Sequence, residues 1–186
     1  MYQGSIIGLD IAKRVFQVHR TAASGAVLEC RKLRRGALLR YFAGLPCSLV
    51  GLEACASAHH WAREIAALGH EVRLIAPSYV KPYVQRQKND AADAAAIAEA
   101  VSRPHMRFVP VKSVTQQGAL MLHRVRDLLI KQRTMTINAL RAHLAELGLV
   151  SAKGRDGVRA LVGVVEGDEA GGEEAGRLDG LARSPL

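Results

Sequence analysis

The stretch Ser5–Ile11, SIIGLDI, limits this chain more than any other. It reads as a buried strand, yet it carries an acid, Asp10, near its end. An ionised carboxylate in such a strand is costly unless it is paired or bound to a metal ion. Any fold that accepts the strand must therefore bring something to Asp10. Val15–His19 (VFQVH) alternates and reads as a second strand, and Val27–Leu33 (VLECRKL) as a third. The TAASGA between them is a turn signal, and links this short imply antiparallel neighbours.

Gly36–Leu45 then reads as a short helix, and Cys47–Glu53 (CSLVGLE) as an apolar strand ending on a second acid. Ala54–Leu68 reads as a helix stopped by Gly69. Glu71–Ala76 is another strand, closed by Pro77. Asp90–Val101 is Ala-rich and helical, with Pro104 just beyond it. Met106–Val111 is a last short strand. Three strands, a helix, a strand ending in an acid, more α/β and an acidic helix together predict a ribonuclease-H-like α/β fold: a mixed sheet flanked by helices.

In that fold the fourth strand lies beside the first, so Glu53 comes next to Asp10. Asp90 and Asp93, three apart on a helix, share a face with Cβ atoms roughly 5–6 Å apart. Four carboxylates are hard oxygen donors suited to Mg²⁺ or Mn²⁺. Two such cations about 3.5–4 Å apart can activate a water or a DNA hydroxyl and stabilise the leaving oxygen of an in-line phosphoryl transfer. Each acid also has a plainer role open to it. Asp10 can close a turn or pair with Lys13. Glu53 can serve a helix dipole. Asp90 can be an N-cap after Asn89, and Asp93 a solvated first-turn acid.

From Ser113 to Leu147 the pattern is helical with no proline, and apolar residues recur three or four apart from Met121 to Leu147. A helical hairpin or a coiled-coil-like arm follows, and with it a homo-oligomer. Lys131–Thr134 interrupts the stripe. Beyond Gly148 the chain turns Gly- and Glu-rich. Residues 167–186 carry five acids against Arg177 and Arg183. The expected division is 1–112 for the catalytic domain, 113–150 for the arm and 151–186 for a disordered or truncated tail.

Charge then selects partners. The net charge is +9 and the pI about 9.9, which favours a polyanion. No apolar run approaches the roughly 20 residues that span a bilayer. MYQGSIIGLD lacks the pattern of a signal peptide. Nucleic acid in the cytoplasm, with no membrane, is the expectation. The candidate contacts are Lys13, the segment Ser78–Lys88 with Lys81, Tyr83, Arg86 and Lys88, and the arm's Arg124, Arg126, Lys131 and Arg133. Bases interleaved with rings suit phosphate contact and base stacking. Cys30, Cys47 and Cys55 form no CxxC pair and are expected as reduced, partly buried thiols. His59 and His60, on the helix expected to follow Glu53, are assigned helix-face roles near the site, and Trp61 a core role.

GLDIAK (Gly8–Lys13), LEACASAHHWA (Leu52–Ala62), IAPSYVKPYV (Ile75–Val84), KNDAADAAAIAEA (Lys88–Ala100) and the stretch Arg107–Thr134 resemble the DEDD transposases of the insertion-sequence one-ten class. The resemblance runs from about Ser5 to about Val162. It implies a RuvC-like N-terminal domain, Mg²⁺ dependence, and Asp10, Glu53, Asp90 and Asp93 as catalytic and metal-binding acids. It also implies a C-terminal domain with a nucleophilic serine, and a structured guide RNA beside the DNA. The end at Leu186 sets the expectation that this chain lacks the serine domain. Three rivals stay open: a non-catalytic nucleic-acid-binding remnant or partner of a full-length transposase, a Holliday-junction resolvase, and an actin-like sugar kinase. Against the kinase, no second Gly-rich phosphate loop is found.

Overall fold

A computed structural model describes residues 4–84 and 90–166. The strands are β1 (Ile6–Ile11), β2 (Val15–Thr21), β3 (Val27–Arg34), β4 (Leu49–Glu53), β5 (Glu71–Ile75) and β6 (Phe108–Val109). The helices are α1 (Leu38–Ala43), α2 (Ala58–Ala67), α3 (Pro77–Val80), α4 (Asp90–Ser102), α5 (Val114–Glu146) and α6 (Arg155–Glu166). The six strands form one mixed sheet in the order β3-β2-β1-β4-β5-β6. β1, β2 and β3 are antiparallel, β4 lies parallel to β1 and to β5, and β6 closes the far edge antiparallel to β5. This is the ribonuclease-H-like mixed sheet expected from the element order.

Each strand alternates between two faces. Ile7, Leu9, Phe16, Val18, Leu33, Val50, Leu52 and Leu74 point to one face, where Leu38 and Phe42 of α1 and Trp61, Ala62 and Ile65 of α2 complete a core. Leu49 and Ile75 point to the other, packed with Val80 and with Ala96, Ile97, Ala100 and Val101 of α4. Two glycines let α4 approach so closely. Gly8 and Gly51 are register partners on β1 and β4. A Cβ on Gly8 would stand 2.0 Å from the Ala94 carbonyl oxygen and 2.5 Å from the Ala98 nitrogen. One on Gly51 would stand 2.7 Å from the Val101 Cβ.

The chain divides into two compact units, Met1–Gln117 and Gly118–Leu186. Near the end of the first, Ser113 and Gln116 exchange side-chain bonds to each other's backbone N–H, a capping box that starts α5. In the second, α5 runs unbroken through Lys131–Thr134 and ends in a Schellman turn. Gly148 there has φ +82°, and the Leu149 and Gly148 N–H groups donate to the Leu144 and Ala145 carbonyls.

Four expectations are corrected. The segment from Ser151 is not tail throughout, because α6 forms at Arg155–Glu166 and Leu161 packs with Leu144 and Leu149. Val158, Leu161, Val162 and Val165 recur at helical spacing, a signal masked by the glycines around them. Helix α2 begins at Ala58 rather than Ala54, so Glu53 is separated from His59 and His60 by a loop containing Ser57 at φ +68°. The three cysteines are exposed rather than partly buried. The last strand shrinks to two residues. The tail expected beyond Glu166 lies outside the described residues.

Candidate metal centre

Asp10 and Glu53 reach one place by strand register. β1 and β4 are parallel, with Gly8 beside Gly51 and Leu9 beside Leu52. The next pair in that register is Asp10 and Glu53. Both share parity with the glycines that face α4, so both carboxylates rise on the α4 face. Helix α4 crosses Gly8 with Ala94–Ala98 and Gly51 with Ile97–Val101, which leaves its N-terminal turn over the acid end of the strands.

Electrostatics places Asp93 in the same neighbourhood. The Glu53 carboxyl is pushed above its ordinary value, first by burial and then by the negative charge of Asp93. The Cys55 thiol is also pushed up, by burial and then by the charges of Glu53 and Asp10. Glu53 thus senses Asp93, and Cys55 senses Glu53 and Asp10. Nothing in the sequence reading singled out Cys55; its place two residues past Glu53 was the available signal. Asp90 opens α4, but its side chain lies outside the described residues, as do Arg86 and Lys88.

Among the described residues, no three His, Cys, Asp or Glu side chains converge closely enough to hold a metal ion as they stand. The donor chemistry nevertheless fits a divalent cation. The mutual repulsion that raises Glu53 is the kind a bound cation offsets.

The other expected residues disperse. Lys13 is exposed in the β1–β2 turn, and Lys81 is exposed just after α3. Tyr83 is half-buried against the α4-side core and so gives part of its ring to packing. Arg124, Arg126, Lys131 and Arg133 are exposed on α5, with Arg126 3.5 Å from Asp127. His59 turns to Lys112, whose backbone N–H donates to its Nδ1 at 3.1 Å. Arg63, one turn later, donates to the Lys112 carbonyl at 2.6 Å. His60 lies 3.9 Å from Glu64, and Trp61 is buried edge-on to Phe16.

A family model described as a transposase, that of the DEDD transposases of the IS110 type, matches residues 7–148. The chain belongs to this family. It is 51% identical over 166 residues to a Pseudomonas aeruginosa protein named "Probable family 20 transposase", covering 89% of this chain and 49% of that one. It is 40% identical over 165 residues to the transposase for insertion sequence element IS1328 of Yersinia enterocolitica, covering 89% and 49%. It is 46% identical over 149 residues to the transposase for insertion sequence element IS1111A of Coxiella burnetii, covering 80% and 41%. The chain therefore spans less than half the length of these relatives. Membership in this DEDD family agrees with the ribonuclease-H-like sheet. No helix among the described residues is long and apolar enough to cross a membrane.

Proposed function

We propose that this chain is the RuvC-like, metal-dependent nuclease part of an insertion-sequence transposase, acting on DNA in the cytoplasm. Asp10, Glu53, Asp90 and Asp93 are its catalytic carboxylates and would hold Mg²⁺ or Mn²⁺. The observation that carries the reading is the meeting of Asp10 and Glu53 at adjacent parallel strand ends, with Asp93 close enough to raise the Glu53 carboxyl. When bound, the cations supply a polarised phosphate and an activated water or hydroxyl nucleophile. The carboxylates fix where a phosphodiester sits. The glycine-based packing of α4 fixes where Asp93 stands against β1 and β4. Lys13, Lys81, Tyr83, Arg86 and Lys88 belong to the same proposal as DNA contacts near the acids. Arg124, Arg126, Lys131 and Arg133 are contacts on an arm that also joins copies of the chain and meets a structured guide RNA. Residues 1–112 form the catalytic part and 113–150 the arm.

Calorimetry with Mn²⁺ tests the site. Asp10→Ala and Asp93→Ala should each abolish most of the heat of binding. Unchanged affinity in both would remove the assignment. A second reading, nucleic-acid binding without cleavage, draws on the exposed bases Arg124, Arg126, Lys131 and Arg133 of α5. Salt-dependent DNA or RNA binding with no Mn²⁺-dependent nicking would favour it.

A further inference from the structure

The edge strand β3 carries opposite chemistry on its two faces. On the α1–α2 side, Glu29 lies 3.8 Å from Arg20 and 3.5 Å from Arg31, and it accepts the Tyr41 hydroxyl at 2.8 Å. The two guanidinium groups there share one carboxylate. On the side that Asp10 faces, β3 presents Cys30, Lys32 and Arg34. Lys32 and Arg34 are exposed, and neither has an ion-pair partner among the described residues.

The register joins these bases to the acid. Asp10 pairs with Gln17, and Gln17 pairs with Lys32, so the three stand in one row on one face. Arg34 stands opposite Val15 in the neighbouring position. Two strand spacings, about 10 Å, separate the Asp10 and Lys32 backbones. Gln17 is buried at 6% exposure, and its amide oxygen has no partner among the described residues.

We propose that Lys32 and Arg34 form a phosphate track that guides the DNA strand to be cut over β3 toward the Asp10 end of the sheet. This rests on the nuclease reading above. Lysines on an edge strand also discourage edge-to-edge pairing. That role is indifferent to the face on which the charge sits, whereas here the two bases without an ion-pair partner among the described residues are on the acid face, and Arg31, 3.5 Å from Glu29, is on the other.

The test measures binding of the chain to a single-stranded DNA oligonucleotide by fluorescence anisotropy across a salt series, in EDTA. Two lost phosphate contacts should lower the slope of log K against log salt by about 1.4 in the Lys32→Ala, Arg34→Ala double variant. Arg31→Ala should leave the slope unchanged. An unchanged slope in a double variant with wild-type circular dichroism overturns the proposal. So does an equal loss in Arg31→Ala, or a loss confined to an RNA oligonucleotide of the same sequence. A photocrosslinker on Cys30, with Cys47 and Cys55 replaced by Ser, keeps both bases in place. It should trap the DNA strand, and trapping no greater than from a crosslinker on Cys47 alone overturns the track. Because no metal is present, these outcomes stand apart from success or failure of Mn²⁺ binding by the acids.

Discussion

Replacing Gly8 by Ala strikes the contact on which the centre depends. The new methyl would lie 2.0 Å from the Ala94 carbonyl oxygen and 2.5 Å from the Ala98 nitrogen, both backbone atoms of α4 that no rotamer change can remove. Restoring even a 3.0 Å contact to the oxygen requires α4 to retreat by about 1 Å. Overpacking of this kind costs about 1–3 kcal/mol, and the backbone obstacle places Gly8→Ala at about 3. For a chain of this size the melting temperature should fall by about 6–12 °C. Gly51→Ala meets Val101 Cβ at 2.7 Å, which is fixed to the α4 backbone but needs a smaller retreat, and Ile97 Cγ2 at 3.1 Å, which can turn, so its cost should be about 2 kcal/mol. Gly36→Ala has nothing within 4 Å and should leave the melt nearly unchanged. Thermal melts of the three variants, followed by circular dichroism, check the order. A melt for Gly8→Ala as high as that of Gly36→Ala would refute the reasoning. Since α4 carries Asp93, the same retreat should weaken Mn²⁺ binding in Gly8→Ala.

Glu53→Gln should stabilise the metal-free chain at neutral pH while removing stabilisation by Mn²⁺, both read by thermal melts. Burial and Asp93 raise the folded pKa of Glu53, so its charged form is disfavoured in the fold. Wild-type stability should therefore gain as pH falls through that raised value toward the ordinary glutamate range, and the Gln variant should lack this gain. Ser57→Gly should raise stability by about 0.5–1 kcal/mol in urea melts, because Ser57 holds φ +68° without a side-chain cap bond and glycine adopts that conformation freely. Arg63→Ala should cost about 1.5 kcal/mol and speed trypsin cleavage after Lys112, since it removes a charged donor from the Lys112 carbonyl; an unchanged cleavage rate would deny Arg63 a part in fixing that segment.

Much of the sheet was legible because strand alternation and turn residues are local signals. VFQVH and VLECRKL flank a glycine turn, and the structure pairs them antiparallel with a register shift between Arg20 and Thr21. Gly69 was read as a helix stop, and it adopts φ +91° after α2. The start of α2 was misread because Ala54, Cys55 and Ala56 have nothing in their own chemistry that forbids helix. The Cys55–Ala58 turn and the left-handed Ser57 are imposed by the neighbours. Helix α6 was missed for the converse reason. Its apolar residues find a partner only once the Schellman turn at Gly148 brings Leu149 against Leu144.

The candidate site divides along the same line. Asp10 and Glu53 were legible because an acid at the end of an apolar run is conspicuous, and a fold hypothesis sets the two strands side by side. Gln17, Lys32 and Arg34 were not, because a strand sequence does not say which face a residue takes until its register is fixed. Each is ordinary on its own: an amide in an alternating strand and two bases near a turn. Register converts them, since Asp10–Gln17 and Gln17–Lys32 are single steps across the sheet, whereas Arg31, one residue from Lys32, faces the opposite side and is held beside Glu29. A shift of β3 by one residue would exchange the two faces. Leu33, buried against Phe16 and Trp61 on the α1–α2 side, opposes that shift, because it would send Leu33 into water and Lys32 into the core. The apolar packing on one face thus fixes which charges stand beside the acids on the other.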